Sequence, residues 1–225
     1  MNPIAMEGCV MALAEASESL GEHALTEGER QECTLLPTSP QRADYQASRL
    51  AAKRAIAWST PACFREGAAD DAETLRRVSV RRREGTTPRV RVQNSGGDWS
   101  AASMVLSLAH RDGHAVAATA PPGARVGVDV ERVGSVAHSY IRYFASDAEC
   151  SRGPEDAASL WALKEAAWKA LGLAPNLPFH ALELEFDDER ALTGLRVERI
   201  RFGAHASLLR PWPDHVVAVL VVDGT

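Results

Sequence analysis

Residues 159–172, Ser-Leu-Trp-Ala-Leu-Lys-Glu-Ala-Ala-Trp-Lys-Ala-Leu-Gly, constrain the chain more than any other stretch. They are strong helix formers. Pro154 stands near the start, and Gly172 stands where a left-handed C-cap falls. Leu160, Leu163, Ala167 and Leu171 recur at helical spacing and give one core-facing stripe. Trp161, Glu165 and Lys169 lie at i, i+4 and i+8, with Lys164 and Trp168 beside them. A carboxylate, two ammonium groups and two indoles therefore share one side. Alone, that side reads either as a solvated Glu–Lys face or as a site. Exposed indoles are unusual, which argues against plain solvation.

A second short stretch carries matching chemistry. Val126 to Val130 is a buried-type strand that runs into Asp129-Val130-Glu131. Strand side chains alternate, so Asp129 and Glu131 share a face. Two carboxylates buried together repel unless a cation lies between them, and a hard divalent ion such as Mg²⁺ takes oxygen ligands of this kind. The other reading is a strand end running out into solvent.

A chain of 225 residues forms one large domain or two small ones. A formal net charge of −5 lacks the basic footprint of general nucleic-acid binding. No apolar run approaches a membrane span, and Met1 to Leu20 lacks the basic n-region of a secretory signal. Cys9, Cys33, Cys63 and Cys150 show no CxxC or paired spacing, which fits a reducing cytosol and a cytoplasmic location.

The rest of the chain reads as alternating helices and strands. Residues 1 to 24 leave strand and helix open. Thr26-Glu27-Gly28-Glu29 and Ser146-Asp147-Ala148-Glu149 have the form of capping boxes. Ser39-Pro40 opens a helix to about Trp58, with Arg42, Tyr45, Arg49 and Lys53 on one face. Strands are expected over Leu75–Arg83, Arg89–Gln93, Met104–Leu108, His114–Ala120, Leu182–Phe186, Leu195–Phe202 and His215–Val222. Ala109 to Gly113 is expected as a loop. Pro121-Pro122-Gly123 is the clearest break, dividing residues 1–122 from 123–225.

The two halves resemble each other. Ser48-Arg49-Leu50-Ala51-Ala52-Lys53-Arg54-Ala55-Ile56 aligns with Leu163-Lys164-Glu165-Ala166-Ala167-Trp168-Lys169-Ala170-Leu171 at an offset of 115 residues. This alignment sets Leu50 against Glu165, so one carboxylate site is expected, in the second half. The expected fold is α+β: two similar halves about a pseudo-two-fold axis, each a small, mostly antiparallel sheet packed on a long helix.

Gly127-Val128-Asp129-Val130-Glu131 followed by Trp161-Ala162-Leu163-Lys164-Glu165-Ala166-Ala167-Trp168-Lys169 resembles the two-part signature of the monomeric, Sfp-type 4′-phosphopantetheinyl transferases. The resemblance implies an active site between two similar halves. It implies transfer of 4′-phosphopantetheine from coenzyme A (CoA) to a serine of an apo acyl or peptidyl carrier protein, with release of adenosine 3′,5′-bisphosphate. Asp129, Glu131 and Glu165 would hold Mg²⁺. Lys169 would sit near the pyrophosphate and the attacking serine, and Lys164 would contact a CoA phosphate. Either Glu165 or a metal-bound water would take the serine proton. His110 matches the family histidine that binds the CoA 3′-phosphate, and Arg30 falls where relatives carry a base. Arg49 and Lys53 would line the CoA side.

The chain departs from the family at two places. Ala109-His110-Arg111 replaces Ser-His-Ser, and Gly85-Thr86-Thr87-Pro88 lacks the base of a Gly-Lys/Arg-Pro turn, which Arg81, Arg83 or Arg89 would supply. The competing reading is a non-catalytic relative that binds carrier protein or CoA without turnover.

Overall fold

The structure is a computed structural model and describes residues 4–61, 63–64, 67–81, 88–174 and 177–223. Arg82, Arg83 and the Gly85-Thr86-Thr87 turn lie outside the described residues. The chain divides into two compact units, Met1–Pro122 and Gly123–Thr225. Each combines helices with antiparallel sheet.

The first unit opens on a hairpin, β1 (Ile4–Met6) and β2 (Cys9–Glu15). Helices α1 (Leu20–His23), α2 (Glu27–Thr34) and α3 (Ser39–Ser59) follow, then α4 (Ala72–Leu75). Strands β3 (Val78–Arg81), β4 (Arg89–Gln93) and β5 (Trp99–Ala101) form a three-stranded sheet. β6 (Val105–Arg111) and β7 (His114–Ala120) return to the first hairpin, giving the order β1-β2-β7-β6. Thr26 and Glu29 form the expected capping box of α2. α3 is capped one residue earlier than its sequence suggests, because Thr38 and Gln41 bond reciprocally to each other's backbone amides. The helix lays Leu50, Ala51, Ala55 and Ile56 into the core. The expected loop over residues 109–113 shrinks to Asp112-Gly113, both at positive φ (50° and 81°), as a tight hairpin turn needs. His110 therefore stands on a strand.

The second unit runs β8 (Arg125–Arg132), α5 (Asp147–Arg152), α6 (Ala157–Leu171), β9 (Leu182–Phe186), β10 (Leu192–Val197), β11 (Ile200–Trp212) and β12 (His215–Val222). Its sheet order is β8-β12-β11-β10-β9. The single strand expected over Leu195–Phe202 is two, because the chain reverses at Glu198 with φ 54°. Asp156, rather than Pro154, starts α6 by accepting from the Ser159 amide (2.8 Å), and Gly172 ends it in the left-handed conformation (φ 61°). No described helix is long and apolar enough to cross a membrane.

Both units carry a capping-box helix followed by a longer helix and close on an antiparallel hairpin, β6–β7 in the first and β11–β12 in the second. The repetition extends to a buried ion pair. In the first unit, Lys53 Nζ meets Glu29 Oε2 at 2.6 Å and donates to Ala24 O at 2.7 Å, both side chains fully buried. Glu29 also accepts from the amides of Thr26 and Val80. In the second unit, Lys164 Nζ meets Glu149 Oε1 at 3.0 Å and donates to Phe144 O and Leu182 O. Glu149 accepts from the amides of Ser146 and Leu184. One capping-box glutamate thus ties a helix start, a strand amide and the long helix together twice over. Lys53, not Arg49, is the counterpart of Lys164, and the 115-residue alignment is corrected accordingly. The residue standing where the second unit has Glu165 is Arg54, not Leu50. Its guanidinium is held by Glu18 (2.7 Å) and Asp70 (3.2 Å).

In the second unit, strand and long helix meet backbone to backbone. A Cβ on Gly127 would lie 1.8 Å from Ala166 O and 2.9 Å from Ala170 N. No side chain fits there. Gly127→Ala is expected to destabilise the protein by about 3 kcal/mol by forcing α6 off β8; a chemical denaturation midpoint equal to the parent's would contradict this close approach. Lys164→Met leaves Glu149 charged, buried and without its cation, at an expected cost of about 3–5 kcal/mol. The double variant Glu149→Gln/Lys164→Met removes both charges and is expected to recover much of that loss in the same measurement.

Candidate active site

The Gly127 contact decides what lies beside it. Gly127, Asp129 and Glu131 alternate onto the α6 face of β8, while Val126, Val128 and Val130 take the other face. Asp129 is 6% exposed. Its Oδ1 accepts from Lys169 Nζ at 2.7 Å, and the same ammonium donates to Val128 O at 3.1 Å. Asp129 Oδ2 is buried with no hydrogen-bond partner among the described residues. Burial pushes the Asp129 carboxyl above its ordinary range; Lys169 opposes that shift and Glu165 adds to it. Glu165 is pushed up by its own burial, with Lys169 opposing and the neighbouring Glu131 adding. Glu131 is buried and accepts from Ser135 Oγ at 3.1 Å.

Asp129, Glu131 and Glu165 therefore feel one another across β8 and α6, with Lys169 as the nearby cation. Among the described residues they do not close into a three-ligand cage. The donor set still suits a hard divalent ion. It offers carboxylate oxygens, one buried and unsatisfied among the described residues, with Glu165 pushing Asp129 up and Glu131 pushing Glu165 up. Trp161 and Trp168 do not join this chemistry. Both stack on Phe179, at 4.7 Å and 4.9 Å between centroids, and Trp161 also meets Phe144 edge-on. They hold α6 against its own unit.

Two expected phosphate contacts are corrected. Lys164 and Lys53 are fully buried, and their ammonium groups are committed to glutamates and carbonyl oxygens. Burial lowers both pKa values, that of Lys53 to about 8, while the paired glutamate opposes the shift in each case. Neither reaches a surface ligand without breaking the fold.

The remaining bases expected to bind the coenzyme lie in the first unit. His110, at the end of β6, and Arg49, on α3, line one cavity of about 280 Å³. Arg49 is 8% exposed; its guanidinium lies 4.3 Å over the Tyr45 ring, and its Nε has no hydrogen-bond partner among the described residues. Arg30 lies outside that cavity lining, bonded to Glu27 and to Leu25 O. Arg81 and Arg89 are exposed and face each other across β3 and β4, with Arg81 3.8 Å from Glu32. The structure thus brings together His110 and Arg49 and leaves Arg30, Arg81 and Arg89 apart from their cavity.

Sequence reasoning missed three residues: Gly127 as a contact point, Glu149 as the partner of Lys164, and Asp44, whose carboxylate stands beside His110. The capping-box position of Glu149 was the available signal, since a carboxylate has lone pairs left over after capping a helix.

Residues 125–220 match the family model described as the 4′-phosphopantetheinyl transferase superfamily. Among solved structures, the chain is similar to the holo-[acyl-carrier-protein] synthase of Thermotoga maritima, at 23% identity and a TM-score of 0.33. That similarity covers 45% of this chain and 64% of the synthase, less than two thirds of its length. No curated protein matches. The matched segment, residues 125–220, carries Asp129, Glu131, Glu165 and Lys169.

Proposed function

We propose that this chain, acting as a monomer in the cytoplasm, transfers 4′-phosphopantetheine from CoA to a serine of an apo acyl or peptidyl carrier protein. The observation that carries the reading is the acidic face of β8 and α6: three carboxylates with raised or buried charge and a lysine on the deepest of them. The match of that segment to the family model supports it.

Asp129, Glu131 and Glu165 would hold Mg²⁺, which when bound neutralises pyrophosphate charge. Lys169 supplies a point charge for a phosphate oxygen. The carrier serine Oγ attacks the phosphorus that bears the pantetheine arm. The bond from that phosphorus to the bridging oxygen breaks, and adenosine 3′,5′-bisphosphate leaves. Either Glu165 or a metal-bound water would take the serine proton. Arg49 and His110 bind the CoA 3′-phosphate from their cavity. Incubation with CoA, Mg²⁺ and apo carrier proteins of fatty-acid, polyketide and nonribosomal peptide systems is expected to add the mass of the phosphopantetheine arm to at least one carrier. No addition to any of them would defeat the proposal.

The raised pKa of Glu165 also predicts a trade between stability and site chemistry. A carboxyl whose folded pKa exceeds its unfolded value binds protons more readily when folded. Its contribution is therefore favourable at low pH and is lost as pH rises through the interval between the two values. Without divalent cation, Glu165→Gln is expected to melt above the parent at pH 8, and the gap should close as pH falls into the ordinary carboxylate range. The variant should also lose the Mg²⁺-induced rise in melting temperature shown by the parent. A variant that melts lower at pH 8, or that responds fully to Mg²⁺, removes Glu165 from the acidic face.

A further inference from the structure

Asp44 has no role in the reaction above, yet it lies inside the His110 cavity with Leu36, Tyr45, Arg49 and Leu108. A carboxylate in an anion pocket repels the ligand unless its charge is already engaged. Both oxygens of Asp44 are engaged. Oδ1 accepts from the Gly113 amide at 2.7 Å and so fixes the turn that follows His110. Oδ2 stands 3.5 Å from His110 Nδ1. A carboxylate behind one imidazole nitrogen orients the ring and turns the other nitrogen away from the carboxylate. The second donor is Arg49, more than nine-tenths buried, stacked on Tyr45, with an Nε that lacks a partner among the described residues. Buried guanidinium N–H groups normally find an acceptor, and a terminal phosphate offers three strong ones.

We propose that Asp44 is a positioning residue. It aims His110 at the 3′-phosphate of the coenzyme and thereby sets the preference for CoA over 3′-dephospho-CoA. The inference rests on the CoA reading above and adds the residue that determines its specificity. Asp44 acts through His110 and touches no reacting atom.

Asp44→Asn is the discriminating variant, because the amide oxygen still accepts from Gly113 while the charge behind His110 is gone. The ratio of the KM for 3′-dephospho-CoA to the KM for CoA is expected to fall about tenfold, the scale of one charge-assisted hydrogen bond. Calorimetric affinity for adenosine 3′,5′-bisphosphate is expected to weaken by about the same factor. In a His110→Gln background, Asp44→Asn should add little further, since the two act as one unit. The inference is overturned if Asp44→Asn keeps the parental ratio, weakens both coenzymes equally, or adds its full effect to His110→Gln. A parent protein that transfers from both coenzymes with equal KM also overturns it, while leaving the transferase reading intact. A parent that modifies no carrier but binds the bisphosphate, and loses that binding in Asp44→Asn, defeats the transferase reading and sustains this one.

Discussion

The direct approach of β8 to α6 at Gly127 is the constraint on which the candidate site depends. Side chains normally keep a helix well clear of the sheet beneath it. Here the Ala166 carbonyl occupies the space a methyl group would need. That close approach brings Glu165 and Lys169 on the helix near enough to act in opposite directions on the protonation of Asp129 on the strand. It also explains why small residues line the contact. Ala162, Ala166, Ala167 and Ala170 are buried on α6, and larger side chains there would hold the carboxylates apart. The acids alone do not specify the site; the glycine two residues before Asp129 does as much.

A second constraint fixes the rotation of α6. Adjacent residues on a helix point about 100° apart, so Lys164 and Glu165 cannot face the same neighbour. Lys164 is pinned by Glu149 and by carbonyl oxygens near Phe144 and Leu182. With that side chain held, Glu165 is left facing β8. The same lock recurs as Lys53 and Glu29 in the unit without the acidic face, where the next residue is Arg54. The lock therefore belongs to the fold, and the chemistry depends on the residue after it. Where one unit sets the carboxylate of Glu165 near Asp129 and Glu131, the other sets a cation, Arg54, held by Glu18 and Asp70.

How far this was legible in the sequence depended on the range of the interaction. Local signals were reliable. The capping boxes at Thr26 and Ser146, the Gly172 C-cap and the shared face of Asp129 and Glu131 all follow from spacing over a few residues. Both motifs also fall inside residues 125–220, the segment that matches the family model. Failures came where a partner lay far away. Lys164 and Lys53 sit among charged residues and read as solvated or ligand-facing, because nothing local shows a glutamate 15 or more residues upstream waiting to pair with them in the core. The alignment of the halves slipped for a related reason. Alanine-rich helices align almost as well in several registers, and only the buried ion pair distinguishes them. His110 was expected on a loop because Asp112-Gly113 alone makes the turn, so the strand continues through a histidine and an arginine that composition would assign to solvent.

The basic residues illustrate the same point about partners. Arginine-rich stretches suggested many ways to meet a phosphorylated coenzyme, yet charge alone does not make an anion site. Arg30 is occupied by Glu27 and Leu25 O, and Arg81 and Arg89 stand exposed and opposite each other. Arg49 differs because its aromatic platform and burial remove water while leaving one N–H without an acceptor. Desolvation strengthens every interaction such a group can make and raises the cost of making none. On the proposed reading, Arg49 is the phosphate anchor among the first-unit bases, and an anion pocket tolerates the Asp44 carboxylate only when both of its oxygens are engaged elsewhere.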